Sequence, residues 1–336
     1  IINSFIYGEN VFFDERLKAI KNILNDEVIG PSSLEICNAA KSIGMPVFND
    51  RDFIERSIQS LLNQTFCNFE LIISDDCSTD GSQDICLRYA NLDSRIKYIR
   101  HAKNIGISNN MKFVLCKAVG EYFMWAGDDD LWAPNFVEVL YDLLKKNTDC
   151  IAAFTPWVSI NEDDNIIKEK NIHRSNYASS FTLIRLLKLC YYWDDGFGYG
   201  LFVRDKILNV NFPVWWWINK IRAYNNIYPT LFYYLTKGNF VMHKGEPLWF
   251  NREKTSNHVN HKLPYANSFC RGLFANYLWK FNVYVKCLGE VIRASNLGSI
   301  YVLFLLPIFI LGLMWYYVKM GVVFFVRLLL GKCRFF

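Results

Sequence analysis

Three consecutive carboxylates, Asp128-Asp129-Asp130, follow the apolar run that ends at Ala126. Like charges this close raise one another's pKa unless a cation intervenes. A hard divalent ion is the natural remedy: Mg²⁺ or Mn²⁺ takes one or two carboxylates and fills the rest of its shell with water and substrate phosphates. The triplet has a second reading, as an acidic loop capping a helix that begins near Pro134, with Asp at the N-cap and Pro at the first helical position. Two further polar clusters, Phe48-Asn49-Asp50 and Asp75-Asp76, also follow short apolar runs. Asp76 can likewise be read locally, as an Asx-type turn feeding Ser78-Thr79-Asp80-Gly81.

The elements between these clusters alternate in type. Ser42 to Val47, Phe69 to Ser74, Ile96 to Ile99 and Glu121 to Ala126 read as buried strands. Helical spacing separates them: Ile54, Ile58, Leu61 and Leu62, then Ile85, Tyr89 and Leu92, then Met111, Leu115 and Ala118. This β-α-β-α-β-α-β order predicts an α/β unit around a mostly parallel sheet. In such sheets ligands settle beyond the carboxyl ends of the strands, where helix N-termini also point. The three polar clusters are therefore expected to converge on one cleft.

The whole chain has 336 residues, of which 52% are hydrophobic and 21% charged, which excludes a disordered polymer. Its net charge of +5 is unevenly spread. From Pro264 onward there are eight basic residues and one acid, leaving 29 basic against 31 acidic before it. Basicity confined to an apolar tail fits an anionic membrane surface and not a nucleic acid, which a basic stripe on the folded domain would serve. Within that tail, Ala294 to Val318 is 25 residues without a formal charge. As helix it would reach about 37 Å, enough to cross a bilayer core of about 30 Å or to lie along it as a hairpin. The ten cysteines are scattered without a CxxC pair, and no secretory signal opens the sequence, so a reduced compartment is expected. The sequence starts at Ile1, not Met, which leaves a preceding segment open.

From about Ser42 to Leu144 the sequence resembles the family 2 glycosyltransferases of GT-A fold. Five motifs in the family's order carry the likeness: Ile43-Gly44-Met45-Pro46-Val47-Phe48-Asn49; Ser57-Ile58-Gln59-Ser60-Leu61-Leu62-Asn63-Gln64-Thr65-Phe66; Phe69 through Gly81, with Asp75-Asp76; Asn104-Ile105-Gly106; and Gly120-Glu121-Tyr122 with Gly127-Asp128-Asp129-Asp130-Leu131-Trp132-Ala133-Pro134. The apolar, basic tail predicts C-terminal membrane-associated helices, and together with the resemblance this divides the chain into an extension (1–40), a nucleotide-sugar-binding half (41–150), an acceptor-binding half (151–262) and a membrane-associated segment (263–336). The resemblance implies a Rossmann-like, mixed but mostly parallel sheet flanked by helices. It also implies that Pro46, Phe48 and Asn49 line a nucleoside pocket, with Asn104 and Gly106 beside it, and that Asp76 accepts a hydrogen bond from the base. Asp128 and Asp129 would hold the ribose and the ion that bridges the two phosphates, with Asp130 as a further metal ligand. A metal-held diphosphate leaving group is chemically sensible, because a Lewis acid neutralises its developing charge without proton transfer.

An inverting enzyme of this kind is expected to carry a carboxylate base before a helix that leads to a Gly and then a Glu-Pro-Leu strand. Here the helix reads as Tyr228 to Lys237, before Gly238 and Glu246-Pro247-Leu248, and the matching position is Asn225-Asn226, which cannot serve as a base. Asp194 or Asp195, ahead of Gly196 and Gly200-Leu201-Phe202-Val203-Arg204, is the alternative. No Arg follows Asn104-Ile105-Gly106 as in many relatives, leaving Lys103 or Lys112 to face the phosphates. Arg252 either contacts phosphate or caps the sheet. His258 and His261 lack zinc-ligand context and read as loop residues, and most of the aromatic runs read as core. The expected protein is a membrane-associated transferase with its catalytic domain on the cytoplasmic side. It would take a nucleoside-diphosphate sugar and a saccharide or lipid-linked acceptor; a catalytically impaired binding or assembly protein of the same fold is the alternative.

Overall fold

The computed structural model describes residues 28–29, 41–167, 175–192, 194–212, 214–216, 223–225, 227–254 and 284–329, with side chains placed throughout 41–167 and, in the last helix, as far as residue 312 and at 314. The apolar spacing from Phe13 to Leu24 reads as one amphipathic helix; that stretch, like His258 and His261, lies outside the described residues.

The strand and helix periods of the sequence become β1 (Lys41–Val47), α1 (Ile54–Leu62), β2 (Phe69–Asp75), α2 (Ser82–Leu92), β3 (Ile96–Arg100), α3 (Ile107–Lys117) and β4 (Tyr122–Trp125). β1 and β2 are buried at every position, which explains why they read as continuous apolar runs: helices cover both faces. Strands β3, β2, β1 and β4 lie side by side in that order and all run parallel. The close seat of α3 on β1 requires Gly44, where an added Cβ would come within 2.7 Å of Phe123 and Val114.

The second half extends the same sheet. After β5 (Leu131–Trp132) and α4 (Phe136–Lys146), β6 (Cys150–Phe154) and β8 (Leu201–Val203) join beyond β4, with β8 antiparallel to both β4 and β6, and β9 (Asn239–Met242) closes that edge parallel to β6. α5 (Thr182–Tyr192) and α6 (Tyr228–Lys237) pack together, α6 over the range expected from its place before Gly238 and Glu246-Pro247-Leu248. A separate three-stranded sheet sets β10 (Trp249–Arg252) between β5 and β7 (Trp157–Ile160). β10 begins just after Glu246-Pro247-Leu248, so that motif leads into a strand and is not one itself. α4 begins at Phe136 with Asn135 at its N-cap, so the aspartate triplet does not cap it and Pro134 is not its first residue.

The C-terminal expectation needs correction. Among the described residues no helix is long and apolar enough to cross a membrane. The uncharged run is broken at 295–297, and the helix resumes as α7 (Gly298–Leu329). One face of α7 packs on the α/β body: Leu305 and Phe309 are buried, and the Phe309 ring stacks on Tyr284 (4.4 Å) and meets Phe232 of α6 (5.7 Å). Apolarity that looked like a bilayer signal is thus partly core packing.

Candidate functional site

The chain leaves β1 toward β2 and β3 on one side and returns to β4 on the other, so a topological switch point lies between β1 and β4, where α/β sheets bind ligands. The residues just past these two strands meet there: the Phe48 N–H donates to Asp128 Oδ2 at 3.2 Å. Asn49 adopts a left-handed φ of 53°, which asparagine tolerates better than most residues. Its Oδ1 accepts from the Thr79 N–H (2.8 Å), while its own N–H donates to Ser78 Oγ (3.0 Å). The Asp50 N–H donates to Ser82 Oγ (2.9 Å). The loop after β1 is therefore strapped to the loop after β2.

Asp76 organises the next loop. Its carboxylate accepts from the backbone N–H groups of Ile105 (2.6 Å) and Gly106 (2.9 Å), and Gly106 has a φ of 83° that a side chain would strain. Burial raises the pKa of Asp76 and these two hydrogen bonds oppose the rise. The structure thus brings Asp76, Asn104 and Gly106 together on the same sheet edge as Phe48, Asn49 and Asp128, with Pro46 inside β1.

The acidic group is Asp50, Asp128 and Asp129, with one carboxylate oxygen from each lying within 4.8 Å of the others. Burial first, then the like charges of Asp50 and Asp129, push the Asp128 carboxyl well up. Asp50 is pushed to about 6, by burial foremost and against the pull of Lys254. It is 6% exposed, and among the described residues its Oδ2 has no hydrogen-bond partner. Lys254 Nζ lies 2.7 Å from Asp50 Oδ1 and 2.9 Å from Asp129 Oδ2. Burial works against the ammonium's charge, but Asp129 and Asp50 outweigh it and raise its pKa. Three hard oxygen donors, one orphaned and buried, at a point short of positive charge fit a Mg²⁺ or Mn²⁺ ion.

Asp130 faces elsewhere. Its Oδ2 accepts from Trp249 Nε1 (3.0 Å), and its Oδ1 from the Arg252 N–H (2.9 Å) and Asn251 Nδ2 (3.3 Å). Burial, helped by Asp129, pushes this carboxyl up to about 8. It rivets the triplet to β10, and Asp50 takes the third place in the acidic group. Sequence reasoning counted Asp50 in the Phe48-Asn49-Asp50 cluster without giving it a role; its position directly past β1 at the switch point was the usable signal. Lys254 was missed altogether. Arg252 is committed to structure, with Nε donating to the Asp129 carbonyl (2.7 Å), one terminal nitrogen to the Asn161 carbonyl (2.7 Å) and the other paired with Asp164.

The two base candidates differ. Asp194 Oδ1 accepts from Trp157 Nε1 (3.2 Å) and the Gly196 N–H (2.9 Å), and Oδ2 from Ser175 Oγ (2.6 Å). Its lone pairs hold β7 and the 175–177 segment in place. Asp195 is half-buried, and its charge is felt by Tyr199 and Tyr228, whose hydroxyl pKa values rise from burial and then from this neighbour. Asp128, Asp129 and Asp130 also act on Tyr199, which stacks on Trp249 at 4.6 Å. Asp195 therefore stands within electrostatic reach of the ring that adjoins the acidic group. Asn225 sits in a short ribbon, Val214–Trp216 with Ala223–Asn225, and Asn226 lies outside the described residues.

A Rossmann-like sheet with an acidic group at its switch point puts the candidate site where open α/β sheets bind ligands. Residues 42–211, just over half the chain, match the model of glycosyl transferase family 2, and the chain belongs to that family. It is 33% identical over 132 residues to TuaG of Bacillus subtilis (strain 168), a glycosyltransferase named for teichuronic acid biosynthesis, covering 39% of this chain and 52% of the relative. It is 39% identical over 102 residues to WcaA of Escherichia coli (strain K12), named for colanic acid biosynthesis, covering 30% of this chain and 37% of the relative. The match thus spans about half the length of TuaG and less of WcaA. Among solved structures, S. aureus TarS 1-349 in complex with UDP-GlcNAc is similar at a TM-score of 0.56 and 15% identity, over 78% of this chain and 69% of that one. The mannosyltransferase PcManGT from Pyrobaculum calidifontis, in complex with GDP-Man and Mn²⁺, reaches a TM-score of 0.50 at 13% identity, over 97% of this chain and 84% of that one. At these identities the two structures show a shared fold.

Proposed function

We propose that the protein transfers a glycosyl group from a nucleoside-diphosphate sugar to a saccharide or lipid-linked acceptor during synthesis of a cell-surface polysaccharide, with inversion at the anomeric carbon. The observation that carries this reading is the meeting of Asp50, Asp128 and Asp129 beside Phe48 at the switch point of the sheet. Asp50, Asp128 and Asp129 would hold Mg²⁺ or Mn²⁺, which supplies Lewis-acid neutralisation of a departing diphosphate. The Phe48 ring, 49% exposed, and the loop organised by Asp76 offer a face and an edge for a nucleoside. Asp195, whose charge reaches Tyr199 beside Trp249, would accept the proton of the acceptor hydroxyl. The relatives named for surface polysaccharides support the acceptor class.

The chain would work on the cytoplasmic face of a membrane. Support comes from α7, whose outward side exposes Leu303, Phe304 and Leu311 while basic residues predominate in the tail. Incubating the purified full chain with UDP- and GDP-sugars, Mn²⁺ and lipid-linked or oligosaccharide acceptors tests the reading. Product or free nucleotide is expected, and its absence with every donor would refute transfer. Asn225, where the family pattern leads one to look for a carboxylate, favours a second reading, an impaired nucleotide-sugar-binding protein; that reading predicts donor binding by calorimetry with no donor hydrolysis.

A further inference from the structure

Lys254 sits where a cation would sit. Its ammonium bridges Asp50 Oδ1 and Asp129 Oδ2 at 2.7 and 2.9 Å, using one oxygen from each of two members of the acidic group. Asp50, 94% out of solvent by the complement of its 6% exposure, keeps Oδ2 without a partner among the described residues, so the lysine satisfies only half of that carboxylate. The lysine is long and flexible, emerges just past the end of β10, and lies 5.3 Å from the Phe53 ring, whose face also receives Arg252 at 4.8 Å. An ammonium and a divalent ion cannot both occupy the point between Asp50 and Asp129, because each needs the same oxygens and they repel one another.

We propose that Lys254 is the resident counter-ion of this site, competing with the divalent ion, so that the ion is admitted chiefly together with the diphosphate that brings it further ligands. This rests on the metal reading above and adds one residue to it: Lys254, as the group that must leave. The consequence is positive coupling between metal and nucleotide, since whichever arrives first removes part of the cost of displacing the lysine.

The test is Mn²⁺ binding followed by electron paramagnetic resonance on the full-length chain without nucleotide. Lys254→Met is expected to bind Mn²⁺ at least about tenfold more tightly than the parent, the gain that corresponds to an ammonium holding the site about nine-tenths of the time. Adding UDP should tighten Mn²⁺ binding in the parent and do so less in the variant. In the Lys254→Met background, Asp50→Asn should reverse the gain. If Lys254→Met melts far below the parent, Lys254→Gln serves in its place. Unchanged or weaker Mn²⁺ binding in a folded Lys254 variant overturns the inference and leaves the metal reading standing, provided Asp129→Asn abolishes binding. A parent that binds Mn²⁺ only once UDP is present, beside a variant that binds it without UDP, supports the inference. Absence of binding in both proteins, with and without UDP, overturns both the inference and the metal reading.

Discussion

Single side chains at this site divide into those that face the cleft and those that hold others in position. Asp129 and Asp130 are adjacent, yet the first meets Asp50 and the second receives three N–H groups from β10. Asp130→Ala would strand the Trp249 indole and the Arg252 amide, so a loss of about 1–3 kcal/mol is expected in urea unfolding. Asp129→Ala should leave stability nearly unchanged and abolish metal-dependent turnover, and equal turnover by Asp129→Ala and parent would contradict the metal assignment. Asp50 adds a pH dependence. Burial raises its carboxyl to about 6, so a proton competes with the ion below that pH. Mn²⁺ affinity is expected to fall as pH drops from 7.5 through 6, and Asp50→Asn should flatten that part of the titration.

At the scale of elements, β1, β2 and β4 were legible because each is buried at every position and closed by a polar cluster, and burial on both faces leaves no room for alternation. The loops between them depend on backbone conformations that few residues tolerate, at Asn49, Cys77 and Gly106. The tight seat of α3 is a further constraint. Gly44→Ala is expected to cost about 1–3 kcal/mol in denaturant unfolding through overpacking against Phe123 and Val114, with a parallel loss of nucleotide affinity as β1 and its loop shift. A neutral Gly44→Ala would show that α3 yields more readily than its packing indicates.

For the whole molecule, α7 lies against the α/β body on one side and is open on the other. Its inner side is anchored through Phe309, and its outer side leaves Leu303 (70% exposed), Phe304 and Leu311 (64%) in the open. Replacing Leu303, Phe304 and Leu311 together by serine should lower the partition onto anionic vesicles by at least about a thousandfold, since each apolar side chain that leaves the interface forfeits roughly 1.5–3 kcal/mol of burial. Turnover of a soluble acceptor should be unaffected. Equal sedimentation of parent and triple variant would place the contact with lipid elsewhere.

The sequence by itself determined the order of strands and helices, the sheet edge on which Asp76 and Asp128 lie, and the family, because these follow from periodicity and from short motifs whose residues are neighbours along the chain. It did not distinguish Asp129 from Asp130, place Asp50 with them, or bring Lys254 to their carboxylates. Asp50 meets them because β1 pairs with β4, and the other two choices depend on β10, which arrives from more than a hundred residues downstream to lie beside β5. A carboxylate's role is set by the donors and charges that reach it, and contacts of that range exist only once the chain has folded.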